Sequence, residues 1–169
     1  MGRVETVGTP GPVFELALGL LFLVLIILVH GIAIRFINRR FSTAWVQVTS
    51  AGKTYWQVDL VLTLTIAALA IVHLTETLIW CVPIYGFGML PNMRDSYFFV
   101  LESYTTLGAG NVTLPDAWRL VGPMIGMSGL FTFGWTGSVL VNIMTDFARL
   151  DRSEATKEQR QQTDAERGP

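Results

Sequence analysis

Charge is scarce in this chain: Asp, Glu, Lys and Arg make up 15% of its 169 residues and gather at the ends of apolar blocks instead of interleaving with them. That scarcity excludes an ordinary soluble domain, where about a quarter of residues are charged. A single cysteine, Cys81, excludes an intrachain disulfide and fits no metal motif. The net charge of −1 gives no basic footprint, so no nucleic-acid partner is expected. The sequence has no nucleophile beside a base, no metal-ligating set and no phosphate-binding glycine loop, so neither enzyme chemistry nor a cofactor is expected. It also lacks a heptad pattern, an internal repeat and any soluble regulatory domain, and no soluble partner is expected.

Apolar residues are abundant instead, at 51%. Three blocks, 13–34, 60–82 and 120–143, are long enough to cross about 30 Å of hydrocarbon at about 1.5 Å per helical residue. Residues 84–119 are too short and too broken by Gly and Pro to cross, which makes them a re-entrant loop. Irregular backbone at membrane depth is tolerated only where protein buries it or it lines a water-filled cavity, so the loop predicts a pore. The first block has no small-residue cleavage site and ends in Ile34-Arg35-Phe36-Ile37-Asn38-Arg39-Arg40, so it reads as a retained helix, not a signal peptide. Lys and Arg concentrate in the first linker (Arg35, Arg39, Arg40, Lys53) and in the tail after Thr145, which predicts both to be cytoplasmic, with the N-terminus and the loop outside.

Within the loop lies Thr105-Thr106-Leu107-Gly108-Ala109-Gly110-Asn111. Two glycines one residue apart let a backbone turn carbonyl oxygens toward a common axis, and a preceding threonine adds its hydroxyl. Several copies of such a strip would make rings of oxygens that replace a cation's hydration shell. A short helix over 97–105, capped by Asp95 or Ser96, would aim its negative dipole end at those ions.

From Asp95 through Asn111, with Pro115, Arg119 and the glycine-rich helix that follows, the sequence resembles the pore region of the tetrameric potassium channel family over roughly residues 57–147. The resemblance implies an all-α membrane protein: three transmembrane helices plus a re-entrant pore helix and selectivity-filter loop per subunit. It implies a homotetramer in the plasma (inner) membrane that passes potassium passively, with ions bound by Thr106, Leu107, Gly108, Ala109 and Gly110. Filter support would come from Glu102, Asn111, Phe98 and Phe99. Two positions depart from the family pattern: Ala109 stands where the family has an aromatic, and Asn111 where it has an aspartate. Without the aromatic strut the filter loosens, so sodium as well as potassium is a candidate permeant ion. A nonselective cation channel and a non-conducting assembly or sensor subunit stay open as alternatives. A proton-coupled carrier is disfavoured by the absence of duplicated halves.

The chain divides into an outer tail and extra helix (1–40), an interfacial linker (41–58), the pore domain (59–147) and a charged tail (148–169). Phe41, Trp45 and Val48 at helical spacing suit an interfacial helix and resemble the cuff helix of many potassium channels. Pro115 and Asp116 are expected to cap the last span. In that span Gly126, Gly129 and Gly134 are candidates for a gating hinge, or for close helix packing. His73 and Glu76, at i and i+3 on the second span, are candidates for proton sensing, or for a pair that satisfies itself. His30 is expected at a different depth, as a packing residue, and metal binding to need more ligands than the pair supplies. Glu15 and Asp59 near helix ends are expected to cap or snorkel.

Overall fold

The computed structural model describes residues 11–50, 55–108 and 110–167, and all regular structure among them is helical. Helix α1 spans Pro12–Ser50, α2 Tyr55–Gly86, α3 Met93–Tyr104 and α4 Val121–Arg167, with a 3-10 turn at Asp116–Trp118 before α4. The expectations for the outer tail up to residue 10, for linker residues 51–54 and for Ala109 lie outside the described residues. Three helical stretches are long and apolar enough to cross a membrane: Pro12–Thr49, Trp56–Gly86 and Asp116–Arg149. The chain is an all-helical membrane protein. Their most apolar windows are only 28%, 17% and 33% buried within the chain, so most of that surface meets lipid or protein outside it.

Helix α1 continues through residues 41–50 without a break, so the aromatic stretch there extends the first helix instead of forming a separate one; the Phe41 and Trp45 rings stack at 5.6 Å. The charged tail is likewise helical as far as Arg167. The chain divides into two compact units, one ending at Phe133 and the other beginning at Gly134. The turn that follows α3 lies in the first.

In that unit α1 packs along α2, and α2 along α3. Phe22 lies on Trp80 with ring centroids 5.5 Å apart, and His30 on His73 at 5.4 Å, so α1 and α2 run antiparallel with those residues level. Ile26, Trp80, Ile84, Val100, Tyr104 and Ile125 form the buried centre. Inside it the Trp80 indole N–H donates to Ser128 Oγ at 2.9 Å, which meets the one polar demand of an otherwise apolar ring. Cys81 is fully buried, its sulfur 3.7 Å from Met93 Sδ.

Helix α2 passes through Pro83 and stops soon after. Gly88 N–H donates to Tyr85 O and Met89 N–H to Ile84 O, both at 3.0 Å, with Gly88 left-handed at φ 66. This is the Schellman turn, and the burial of Met89 and Ile84 in one cluster supplies its apolar contact. The start of α4 is held from another helix: buried Glu15 on α1 accepts the Leu120 N–H. A carboxylate there also suits the positive end of the helix dipole. Pro115 precedes the 3-10 turn and Asp116 is its first residue, so neither caps α4 itself, a correction to the sequence expectation.

Candidate functional site: the filter turn and a buried polar cluster

Helix α3 begins earlier than residue 97, and its cap is Asn92, not Asp95 or Ser96. Asn92 is extended (φ −144), its side-chain oxygen accepts Asp95 N–H at 2.8 Å, and its side-chain N–H donates to Asp95 Oδ2 at 2.7 Å. Asp95 therefore sits in the first turn, where its charge favours the helix dipole, and Ser96 Oγ donates back to Asn92 O. Asn wins because its amide both accepts from the open backbone N–H and donates to the aspartate, whereas an ionised carboxylate only accepts.

The other end of α3 leads into the candidate filter residues through a second turn. Thr106 N–H donates to Ser103 O at 3.0 Å and Leu107 N–H to Glu102 O at 2.9 Å, with Thr106 left-handed at φ 58. The hydrogen bonds repeat those at the end of α2, but the left-handed residue is β-branched, which costs roughly 1–2 kcal/mol. Gly108 follows at φ 60, while Leu107 between them is not left-handed. Two left-handed residues flanking one that is not left-handed give this stretch a backbone path unlike the helix before it.

Among the filter-support residues, Glu102 is buried and its carboxylate lies against Gly110: a Cβ at Gly110 would collide with it. Asn111 is exposed. Phe99 is half-buried against α4, where a Cβ at Gly122 would come within 3.2 Å of its Cζ; Phe98 is half exposed. The hinge candidates separate. Gly129 lies directly under α3, since a Cβ there would run into the Tyr104 carbonyl oxygen, and one at Gly126 would stand 3.2 Å from Ser103 O. At Gly134 a Cβ would meet no described atom within 4 Å. The space beside the turn is a groove of about 670 Å³ bordered by Phe99, Ser103, Thr106, Gly108, Gly122 and Gly126.

Behind the turn is a cluster that only part of the sequence reading anticipated. Glu76 is fully buried, and one of its oxygens pairs with His30 Nδ1 at 2.7 Å. The other accepts the Tyr104 O–H at 2.5 Å. His73 Nδ1 lies 2.9 Å from the Tyr104 oxygen and 3.5 Å from Glu76, and Thr132 Oγ1 is 2.5 Å from the same phenol. The phenol donates its one hydrogen to Glu76, while Thr132 Oγ1 also donates to the Ser128 carbonyl at 3.0 Å, so the hydroxyl ties the cluster to the α4 backbone. The His73 ring also packs on Phe133, centroids 4.5 Å apart.

The expectation that His30 lies at another depth is corrected. The antiparallel packing of α1 on α2, in the Phe22–Trp80 register, brings His30 level with His73. Sequence reasoning missed Tyr104 and Thr132 altogether. The available signal was that spans 13–34, 60–82 and 120–143 carry only three His, Asp, Glu, Lys or Arg residues beyond Glu15, and buried polar groups of that kind must find one another.

A family model described as an ion channel matches residues 60–146 of this chain. The chain belongs to that ion-channel family. The matched segment of this channel covers α2 from Leu60, the capped helix α3, the turn after it and α4 as far as Asp146, and leaves out α1. No similar curated protein and no similar solved structure is found. In the channel, Tyr104 is the last residue of α3 and its hydroxyl is bonded to Glu76 on α2 and Thr132 on α4, so the end of α3 is anchored to both helices.

Proposed function

We propose that this channel conducts potassium as a homotetramer, through a filter lined by the carbonyl oxygens of Thr106, Leu107, Gly108, Ala109 and Gly110, with the Thr106 hydroxyl at the inner end. The observation that carries the reading is the left-handed, not left-handed, left-handed succession at Thr106, Leu107 and Gly108, set at the negative dipole end of α3. One strip supplies only one side of a coordination shell. The groove beside it and exposed Met127, Leu130 and Phe131 on α4 support further copies packing there. The arginine distribution supports a plasma-membrane orientation with the filter mouth and N-terminus outside and the tail cytoplasmic. Glu102 against Gly110 braces the filter from behind, and Phe99 fills the space between α3 and α4. Gly126 and Gly129 are packing glycines in this reading, which leaves Gly134 as the place where α4 bends.

A second reading, a nonselective cation pore, is favoured by Ala109, which cannot supply the aromatic strut of the family it resembles. Flux from liposomes holding the purified protein, driven first by potassium and then by sodium gradients with barium as blocker, tests both. Barium-sensitive potassium flux well above sodium is expected. Equal fluxes would establish the second reading, and no flux from intact tetramers would overturn both in favour of a non-conducting subunit.

A further inference from the structure

Two imidazoles and a carboxylate meet inside the membrane-spanning part of this chain. His30 comes from α1, and His73 and Glu76 from successive turns of α2; His30 and Glu76 are fully buried. One ligating atom from each lies within 4.8 Å of the other two. We propose that His30, His73 and Glu76 form an intramembrane binding site for a divalent transition-metal ion of the zinc type.

The geometry is close to what such an ion requires. Bonds of about 2.0–2.1 Å in a tetrahedral shell place ligand atoms about 3.3 Å apart. His30 Nδ1 stands 2.7 Å from one Glu76 oxygen and His73 Nδ1 3.5 Å from the other, and with one atom from each residue within 4.8 Å of the other two, side-chain adjustments alone can close the shell. A His and a Glu at i and i+3 on one helix is a spacing by which helical proteins present a carboxylate and an imidazole to one ion. The third ligand comes from the neighbouring helix at the same level. Two nitrogens and a carboxylate suit zinc and its neighbours; potassium, magnesium and calcium take oxygen shells, so this site is chemically distinct from the filter.

The surroundings complete the site. Tyr104 donates to Glu76 at 2.5 Å and is in turn 2.5 Å from Thr132, and partners of this kind fix a ligating carboxylate in one orientation. The Tyr104 oxygen is also 2.9 Å from His73 Nδ1, so it borders the ion's space and is placed to serve as the fourth ligand. An imidazole ligates through a nitrogen that carries no proton, so the ion replaces the hydrogen now shared on that nitrogen. His73 is the one ligand with surface exposure, at 13%, and marks the side of entry. The proposal does not depend on conduction.

The test uses the full chain without an affinity tag, purified in detergent and stripped with chelator. Cobalt(II) is the spectroscopic probe and zinc its competitor. One cobalt per chain with the visible bands of a four-coordinate ion is expected, displaced by zinc, and weakened more than about 100-fold in His30→Gln and in His73→Gln but unchanged in Asp59→Asn, an exposed carboxylate on the same helix. Circular dichroism shows whether the histidine variants fold. If they do not, zinc-edge X-ray absorption on the wild-type chain decides, and two imidazoles in the zinc shell are expected. No saturable uptake, a shell without imidazole, or equal binding by folded variants would overturn the site.

Discussion

Two helices of this channel end in the same hydrogen-bonded turn, α2 at Ile84–Met89 and α3 at Glu102–Leu107, yet the left-handed position is glycine in one and threonine in the other. Surroundings differ as sharply. A side chain at Gly88 would meet nothing within 4 Å, whereas the turn after α3 is overlain by α4 at Gly126 and Gly129 and anchored through Tyr104. The first turn uses the residue that fits and needs no outside support. The second accepts roughly 1–2 kcal/mol of conformational cost to keep a hydroxyl-bearing, β-branched residue in the left-handed position, and the packed helices around it hold it there. Strain is located in the turn that packed helices enclose and absent from the turn that stands open.

The largest effect expected from breaking this contrast comes from removing the support. Gly129→Leu forces a side chain into the Tyr104 carbonyl and is expected to cost about 3 kcal/mol, read as a fall in Tm of the detergent-solubilised protein together with loss of flux. Tyr104→Phe keeps the ring but leaves Glu76 without its phenol donor; a loss of about 2 kcal/mol is expected, with no comparable penalty from Tyr97→Phe, whose hydroxyl stands 3.3 Å from Thr77. The sharpest comparison pairs Gly88→Ala with Thr106→Gly. The first is expected to destabilise by about 1–2 kcal/mol and leave selectivity alone; the second to stabilise the turn by a similar amount while lowering the potassium-to-sodium flux ratio. Shifts of the same sign in both would show that the two turns are equivalent. The smallest effect is at the opposite end of α3, where Asn92→Ala is expected to cost about 1 kcal/mol in thermal unfolding without altering selectivity.

Much of this architecture is legible in the sequence, because it rests on local signals. Runs of apolar residues announce the spans, and the broken loop between them announces the irregular backbone in which Gly108 takes a left-handed conformation. What is not legible depends on register between distant segments. His30 and Glu76 are 46 residues apart, and Tyr104 stands 28 residues from both Glu76 and Thr132, so no spacing rule links them until the antiparallel packing of α1 on α2 is known. The Asn92 cap escapes the sequence for a different reason: Asn, Asp and Ser at 92, 95 and 96 all have capping chemistry, and only the side-chain amide's double bonding to Asp95 separates them. The threonine in a left-handed turn is likewise invisible, since residue preference argues against it and only packing enforces it.

Burial of Cys81 has a practical side. Its sulfur is closed off from solvent against Met93, and no other thiol exists in the chain. The native protein is thus already a background for site-directed labelling. A cysteine introduced at exposed Asn111, beside the filter, would react with a maleimide dye while Cys81 stays silent, and stepwise bleaching of single particles would then count how many copies surround one pore.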